Sequence, residues 1–239
     1  MGMLIDVKKI HTYYGKSHIL HGVSMQLQKG ELACLLGRNG VGKTTTLKSI
    51  MGLAPPAGGN ILFNGQELVG KEPYEIARLG VGIVPEERRI FGSLSVHENL
   101  LMGIKPGKTK SSIEEGWTVD KIYELFPKLK ERQNNKGKHL SGGEQQMLTV
   151  ARTLMGNPEL ILVDEPTEGL APLIAKDVLN TLSMVRDSGV TVLMVEQNFN
   201  AAIKIADRFY IMSKGQIVFE GDEPALMSAE DVRRNYLEV

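Results

Sequence analysis

Residues 37–44 read Gly37-Arg38-Asn39-Gly40-Val41-Gly42-Lys43-Thr44, which sets glycines, a lysine and a threonine at the spacing G-x-x-x-x-G-K-[ST]. The glycines let consecutive backbone N–H groups turn inward around phosphate oxygens with no Cβ in the way. A helix starting near Lys43 would add its unpaired N–H groups and the positive end of its dipole. Lys43 is spaced to reach β- and γ-phosphates, and Thr44 to offer a hydroxyl to Mg2+. The nucleotide site is expected to run from Gly37 through Thr45.

Two further groups could do chemistry with that loop. Leu160-Ile161-Leu162-Val163-Asp164-Glu165 is an apolar strand ending in two carboxylates. In a parallel sheet the C-terminal strand ends line one ligand crevice, so Asp164 is expected beside the Mg2+ of the phosphate loop. Side chains alternate along a strand, which predicts separate tasks for its neighbour. Glu165 is accordingly expected to polarise an attacking water and act as the catalytic carboxylate, together with Lys43. Ser141-Gly142-Gly143-Glu144 opens a helical stretch. Ser141 and Glu144 form a capping-box pattern, and a Ser-Gly-Gly helix start also binds anions. A triphosphate gripped from two sides would use both glycine elements.

These residues need a sheet to carry them. Residues 4–7 and 22–27 show the period-2 pattern of half-buried strands, and 32–36 form a continuous apolar run suited to a strand buried on both faces. A helix is expected over 44–51, ended by Gly52, and a strand over 61–63 with a hairpin signal at Asn64-Gly65. From about residue 91 to 156 helix formers dominate. Residues 105–116 read as an exposed polar loop, and 119–125 and 144–155 as helices. In the latter, Met147, Val150, Ala151 and Leu154 give one apolar face, and Gly156-Asn157-Pro158 stops it. Strand-like runs return at 160–163, 190–195 and 208–212 with helical segments between them, the rhythm of a parallel sheet.

Composition limits the function classes. The chain has 239 residues, and its 28 Lys and Arg balance 28 Asp and Glu, so the basic surplus of a general nucleic-acid binder is missing. No apolar run reaches the roughly 20 residues that span a bilayer. The first ten residues carry Asp6, Lys8 and Lys9, unlike the apolar centre of a secretory signal. A lone cysteine, Cys34, allows no internal disulfide and is expected to be an inert buried thiol. His18 and His21 lack a third partner for a zinc pattern. A soluble cytosolic protein is expected, and work at a membrane would need another chain to supply the span.

The phosphate loop, Leu140-Ser141-Gly142-Gly143-Glu144-Gln145-Gln146, and the apolar strand ending Asp164-Glu165-Pro166-Thr167 together resemble the ATP-binding cassette (ABC) ATPases. The resemblance covers essentially the whole chain. It implies an α/β fold: a P-loop cassette with a RecA-like, mainly parallel core sheet, an N-terminal antiparallel β part and a helical insertion. A single ATPase domain over 1–239 is expected, with its core at about 1–87 and 157–221, the helical subdomain at about 88–156, and a tail, 222–239, too short for a regulatory domain. The resemblance also implies ATP and Mg2+ as ligands, and a head-to-tail pair in which Ser141, Gly142, Gly143 and Glu144 of one copy close on the ATP of the other. Tyr14, before Gly15, resembles the aromatic that stacks on adenine; the alternative is one more β-strand tyrosine beside Tyr13.

Three segments depart from the usual family pattern. Ile83-Val84-Pro85-Glu86 puts Glu86 where a glutamine normally meets Mg2+ and the membrane partner. Gly169-Leu170-Ala171-Pro172 lacks the usual aspartate. Val195-Glu196-Gln197-Asn198 puts Gln197 where a histidine usually contacts the γ-phosphate. Gln197 can hydrogen-bond but cannot titrate, which leaves the water to Glu165. Jointly these segments resemble the ATP-binding subunits of branched-chain, hydrophobic amino-acid importers. Relatives in that group that serve urea or short amides, and lipopolysaccharide-type or exporter cassettes, are the alternatives. The implied partners are a second cassette, transmembrane permeases docked near residues 86–94 and, indirectly, a solute-binding protein, at the cytoplasmic face of the inner membrane.

Overall fold

A computed structural model describes residues 2–105 and 116–237. Two 12-residue strands, β1 (Met3–Tyr14) and β2 (Ser17–Gln28), lead into β3 (Leu32–Leu36), helix α1 (Lys43–Ile50), β4 (Gly58–Phe63), β5 (Gln66–Glu67), α2 (Pro73–Leu79) and β6 (Val81–Val84). A helical stretch follows: α3 (Val96–Leu101), α4 (Val119–Leu125), α5 (Pro127–Glu131) and α6 (Gly142–Leu154). Alternation resumes with β7 (Leu160–Asp164), α7 (Pro172–Asp187), β8 (Thr191–Glu196), α8 (Phe199–Ala202), β9 (Arg208–Ser213), β10 (Gln216–Gly221), α9 (Glu223–Ser228) and α10 (Glu230–Tyr236).

The strands form two sheets. The first is antiparallel, in the order β2-β1-β4-β5, and the second runs β10-β9-β3-β8-β7-β6. In the second sheet β9, β3, β8, β7 and β6 are parallel, and β10 pairs antiparallel on β9. The hairpin signal at Asn64-Gly65 is realised: both residues have positive φ and Phe63 pairs with Gln66.

Strand alternation explains the layering. Leu32, Cys34 and Leu36 of β3, with Ile161 and Val163 of β7 and Val192 and Met194 of β8, face one apolar cluster that also holds Val150, Ala151 and Leu154 of α6 and Val178 and Leu182 of α7. Their neighbours Ala33 and Leu35, Leu160 and Leu162, and Leu193 and Val195 face a second cluster, built from the antiparallel sheet together with Leu47 and Ile50 of α1. A strand with apolar residues on both faces is buried between layers, which is why these runs carry no polar alternation. Trp117 packs against the first cluster. Cys34 is wholly buried, and that burial pushes its thiol well above the usual range.

Several expectations shift in detail. Helix α1 spans Lys43–Ile50, one residue earlier than the apolar pattern suggested, because Gly42 caps it. Strands β6 and β10 were not legible as strands in the sequence. Most of the expected polar loop at 105–116 lies outside the described residues.

The consequence for function is positional. Spatial order β3-β8-β7-β6 brings four C-terminal strand ends to one edge. They deliver, in turn, Gly37, Glu196, Asp164 and Glu86. Leu36 pairs with Glu196, Asp164 with Val195, and Val163 with Val84, so these ends lie level.

Candidate nucleotide site

The loop after β3 is shaped by backbone that a Cβ would obstruct. Gly42 has φ 113, and a Cβ there would meet Leu20 Cδ2 at 2.8 Å. Gly40 has φ 78 with open space beside it, so its glycine serves conformation and not clearance. Within this turn Lys43 is 4% exposed. Its Nζ donates to the carbonyls of Gly37 (2.9 Å) and Arg38 (3.2 Å) and lies 3.0 Å from Glu165 Oε1. The ammonium is therefore held in place before any phosphate arrives.

Thr44 Oγ1 donates to Asp164 Oδ1 at 2.8 Å, joining the start of α1 to the end of β7. Glu165 departs from the alternation argument. The strand ends at Asp164, and Glu165 takes φ 41, a left-handed backbone that returns its side chain to the same cleft. Both carboxylates thus face the phosphate loop, one through Thr44 and one through Lys43.

Tyr14, Ile19, Asn39, Gly40, Gly42, Lys43, Thr44, Thr45, Glu86, Glu165 and Glu168 line an open cleft of about 360 Å³. Lys43 is the one cation among these described lining residues. Burial pushes the Asp164 carboxyl above its ordinary range; the Thr44 hydrogen bond opposes this, while the charges of Glu165 and Glu86 add to it. Glu168 is also raised, first by a hydrogen bond shared with Glu165, then by burial and by the charges of Glu165 and Glu86. The cleft holds more carboxylate than its lysine offsets, a field that favours a cation.

Tyr13 and Tyr14 separate cleanly. The Tyr13 ring stacks on His18 at 4.1 Å, whereas Tyr14 lines the cleft. Tyr14→Ala is therefore expected to weaken ATP binding about tenfold, given the ~1–3 kcal/mol typical of base–aromatic stacking. Tyr13→Ala should leave it nearly unchanged. Titration with a fluorescent ATP analogue checks both.

Other expected residues lie apart from the cleft lining. Val41 packs against the second cluster and Arg38 is exposed, contributing its carbonyl to Lys43. Ser141, Gly142, Gly143 and Glu144 open α6 with a complete capping box: Ser141 N–H donates to Glu144 Oε2 (2.8 Å) and Glu144 N–H to Ser141 Oγ (3.3 Å). Burial works against the Glu144 carboxylate, but these Ser141 bonds outweigh it and hold Glu144 below the usual range. A Cβ on Gly143 would meet Ile174 Cγ2 at 2.2 Å, so this glycine also serves helix packing. Gln197 is exposed just beyond β8. Sequence reasoning missed Glu168 and Glu196. Glu168 could have been found as the third carboxylate of a tight turn, since its N–H donates to Glu165 O at 3.1 Å.

A phosphate loop on β3, carboxylates on β7 and a single strand between them define a P-loop nucleoside-triphosphate-hydrolysing protein. Residues 20–168 match the ABC transporter family, and the chain belongs to that family. It is 44% identical over 98% of its length, and 99% of the relative's, to the high-affinity branched-chain amino acid transport ATP-binding protein BraG of Pseudomonas aeruginosa. It is 32% identical to the lipopolysaccharide export system ATP-binding protein LptB of Escherichia coli (strain K12), across 98% and 96% of the two chains. Among solved structures it resembles the ADP conformation of an ATP-binding cassette of an ABC transporter, with TM-score 0.83, 29% identity and 98% of each chain covered. The chain is accordingly a nucleotide-binding ATPase of the transporter type.

Proposed function

We propose that this chain is a single-domain cassette that hydrolyses ATP to power a membrane importer of branched-chain or other hydrophobic amino acids. The observation that carries the substrate class is the 44% identity to BraG along nearly the whole of both chains. The likeness to LptB is lower, at 32%. No described helix is long and apolar enough to cross a membrane, so the reading requires permease subunits to supply the path. The cassette would sit against them at the cytoplasmic face of the inner membrane, paired with a second cassette and fed by a solute-binding protein.

Within the site, the roles follow from what each group touches. Thr44 Oγ1 and Asp164, with Glu86 at the rim, offer the hard oxygen donors that Mg2+ prefers; bound there, the ion would offset carboxylate charge and polarise phosphate oxygens. Lys43 would exchange its Glu165 contact for β- and γ-phosphate oxygens. Glu165, released, would accept a hydrogen bond from the attacking water and take its proton as the water adds in line to the γ-phosphorus and ADP leaves. The phosphate loop N–H groups hold the tail, Tyr14 stacks on the base, and the partner's Ser141, Gly142 and Gly143 close over the γ-phosphate.

Gln197 supports the same reading as a neutral γ-phosphate contact. Gln197→Ala is expected to slow hydrolysis about tenfold or more with ATP affinity kept, as for a bond made mainly in the transition state. The pH–rate profile should lose no inflection on this substitution, because an amide does not titrate. Wild-type rates in Gln197→Ala would show that the contact is dispensable.

Reconstitution of the cassette with its native permeases and binding protein in proteoliposomes tests the substrate class. ATP-dependent uptake of labelled leucine or isoleucine is expected. ATPase stimulation by urea or short amides alone, or by lipopolysaccharide extraction, would overturn the amino-acid reading.

A further inference from the structure

Strand β8 ends in a residue that its pattern does not explain. Glu196 is 3% exposed, on a strand otherwise packed with apolar side chains and Thr191. Burying a carboxylate is costly unless donors surround it. Here four do. Oε1 accepts from the Thr167 N–H (3.2 Å) and the Thr167 hydroxyl (2.7 Å). Oε2 accepts from the N–H groups of Gln197 (3.1 Å) and Asn198 (3.4 Å). Every one of these donors comes from a loop, and none from the sheet.

The two loops are the ones that matter. Thr167 lies two residues beyond Glu165, in the turn that carries the catalytic carboxylate. Gln197 and Asn198 form the segment after β8 that would sense the γ-phosphate. Glu165 itself sits at φ 41, a conformation that a residue with a Cβ keeps only when its surroundings hold it. Its own N–H is fixed to Val195 O at 3.1 Å on one side, and Glu196 fixes Thr167 on the other.

We infer that Glu196 is a positioning residue that ties the Gln197 segment to the Glu165 turn through Thr167, so that the two loops present their side chains to the γ-phosphate as one unit. An apolar residue in its place would fill the same volume and leave the loops to move separately. Glu196 touches neither the phosphate loop nor the lysine among the described contacts, so its influence should fall on turnover and not on nucleotide capture.

The inference rests on the assignment of the attacking water to Glu165, which the Glu165→Gln variant tests by itself. The experiment on the full chain is Glu196→Gln, whose amide nitrogen faces donors where a carboxylate oxygen accepted them. The expected result is a fall in kcat of about ten- to a hundredfold, as for a small misplacement of a reacting group. KM and fluorescent-nucleotide affinity should stay within about twofold. Thr167→Val, which deletes the hydroxyl donor, should lower kcat in the same manner, and Thr167→Ser should restore it. The double variant Glu196→Gln/Thr167→Val should be no more than about twofold slower than Glu196→Gln, since both break one link. If Glu196→Gln fails to fold, the Thr167 pair decides: full kcat in Thr167→Val overturns the inference. A loss of kcat and affinity together, or independent multiplying effects in the double variant, overturns it too. An inactive Glu165→Gln beside a fully active Glu196→Gln rejects the coupling alone and leaves the hydrolytic assignment standing.

Discussion

Glu165→Gln is expected to cut steady-state ATP hydrolysis by about 100- to 10,000-fold, the range for removing a positioned general base. The substitution keeps the size and shape of the side chain. It replaces an acceptor that can take a proton with an amide that cannot. Nucleotide binding should survive, and for an electrostatic reason it should tighten. Glu165 contributes to a cleft that is also lined by Glu86 and Glu168 and has Asp164 behind Thr44, with Lys43 as the only lining cation among the described residues. Deleting one negative charge lowers the repulsion a γ-phosphate meets. The same deletion should let the Asp164 carboxyl fall back toward its ordinary range, because Glu165 is one of the charges that raise it. Phosphate release and nucleotide affinity, measured on the same preparation, separate the two effects. An unchanged hydrolysis rate would refute the role assigned to Glu165.

Lys43→Ala should remove both hydrolysis and much of the nucleotide affinity. The ammonium is already oriented by two carbonyls and by Glu165, so its contribution to the developing charge needs little reorganisation. Loss of one such donor typically costs about 100- to 1,000-fold in kcat. Affinity should fall as well, because the lining keeps its carboxylates with no cation among them. Lys43→Ala should therefore fail to saturate with ATP at concentrations that fill the parent protein, in contrast to Glu165→Gln. Retained affinity with lost turnover would mean that the backbone of the loop binds phosphate without the lysine.

What the sequence disclosed, and what it withheld, divides along the reach of each interaction. Strand β3 was legible to the residue, because a run of five buried apolar side chains between two turns has no competing pattern. Helix α4 was equally clear, starting after Thr118, which caps it. The phosphate loop was legible as a motif because its glycines, Lys43 and Thr44 stand at near-consecutive positions and no long-range contact is needed to see them. Strand β6 was hidden: four residues with Gly82 among them give neither period nor length, and the pairing of Val84 with Val163 that makes it a strand is long-range. How Glu165 reaches the cleft was hidden, because alternation holds only while a strand continues, and a single left-handed residue ends it. Glu196 could not be found locally at all. Its identity makes sense only once Thr167, 29 residues away, is seen to donate to it.

In the proposed mechanism the triphosphate held beside Lys43 must be covered by the Ser141 turn of a second copy before it is cleaved. Light scattering of the Glu165→Gln protein on addition of magnesium-ATP tests this most directly. A doubling of mass is expected that appears with ATP, fails with ADP, and is abolished by adding either Ser141→Arg or Lys43→Ala. Saturation with ATP at an unchanged mass, or a doubling indifferent to Ser141→Arg, would contradict it.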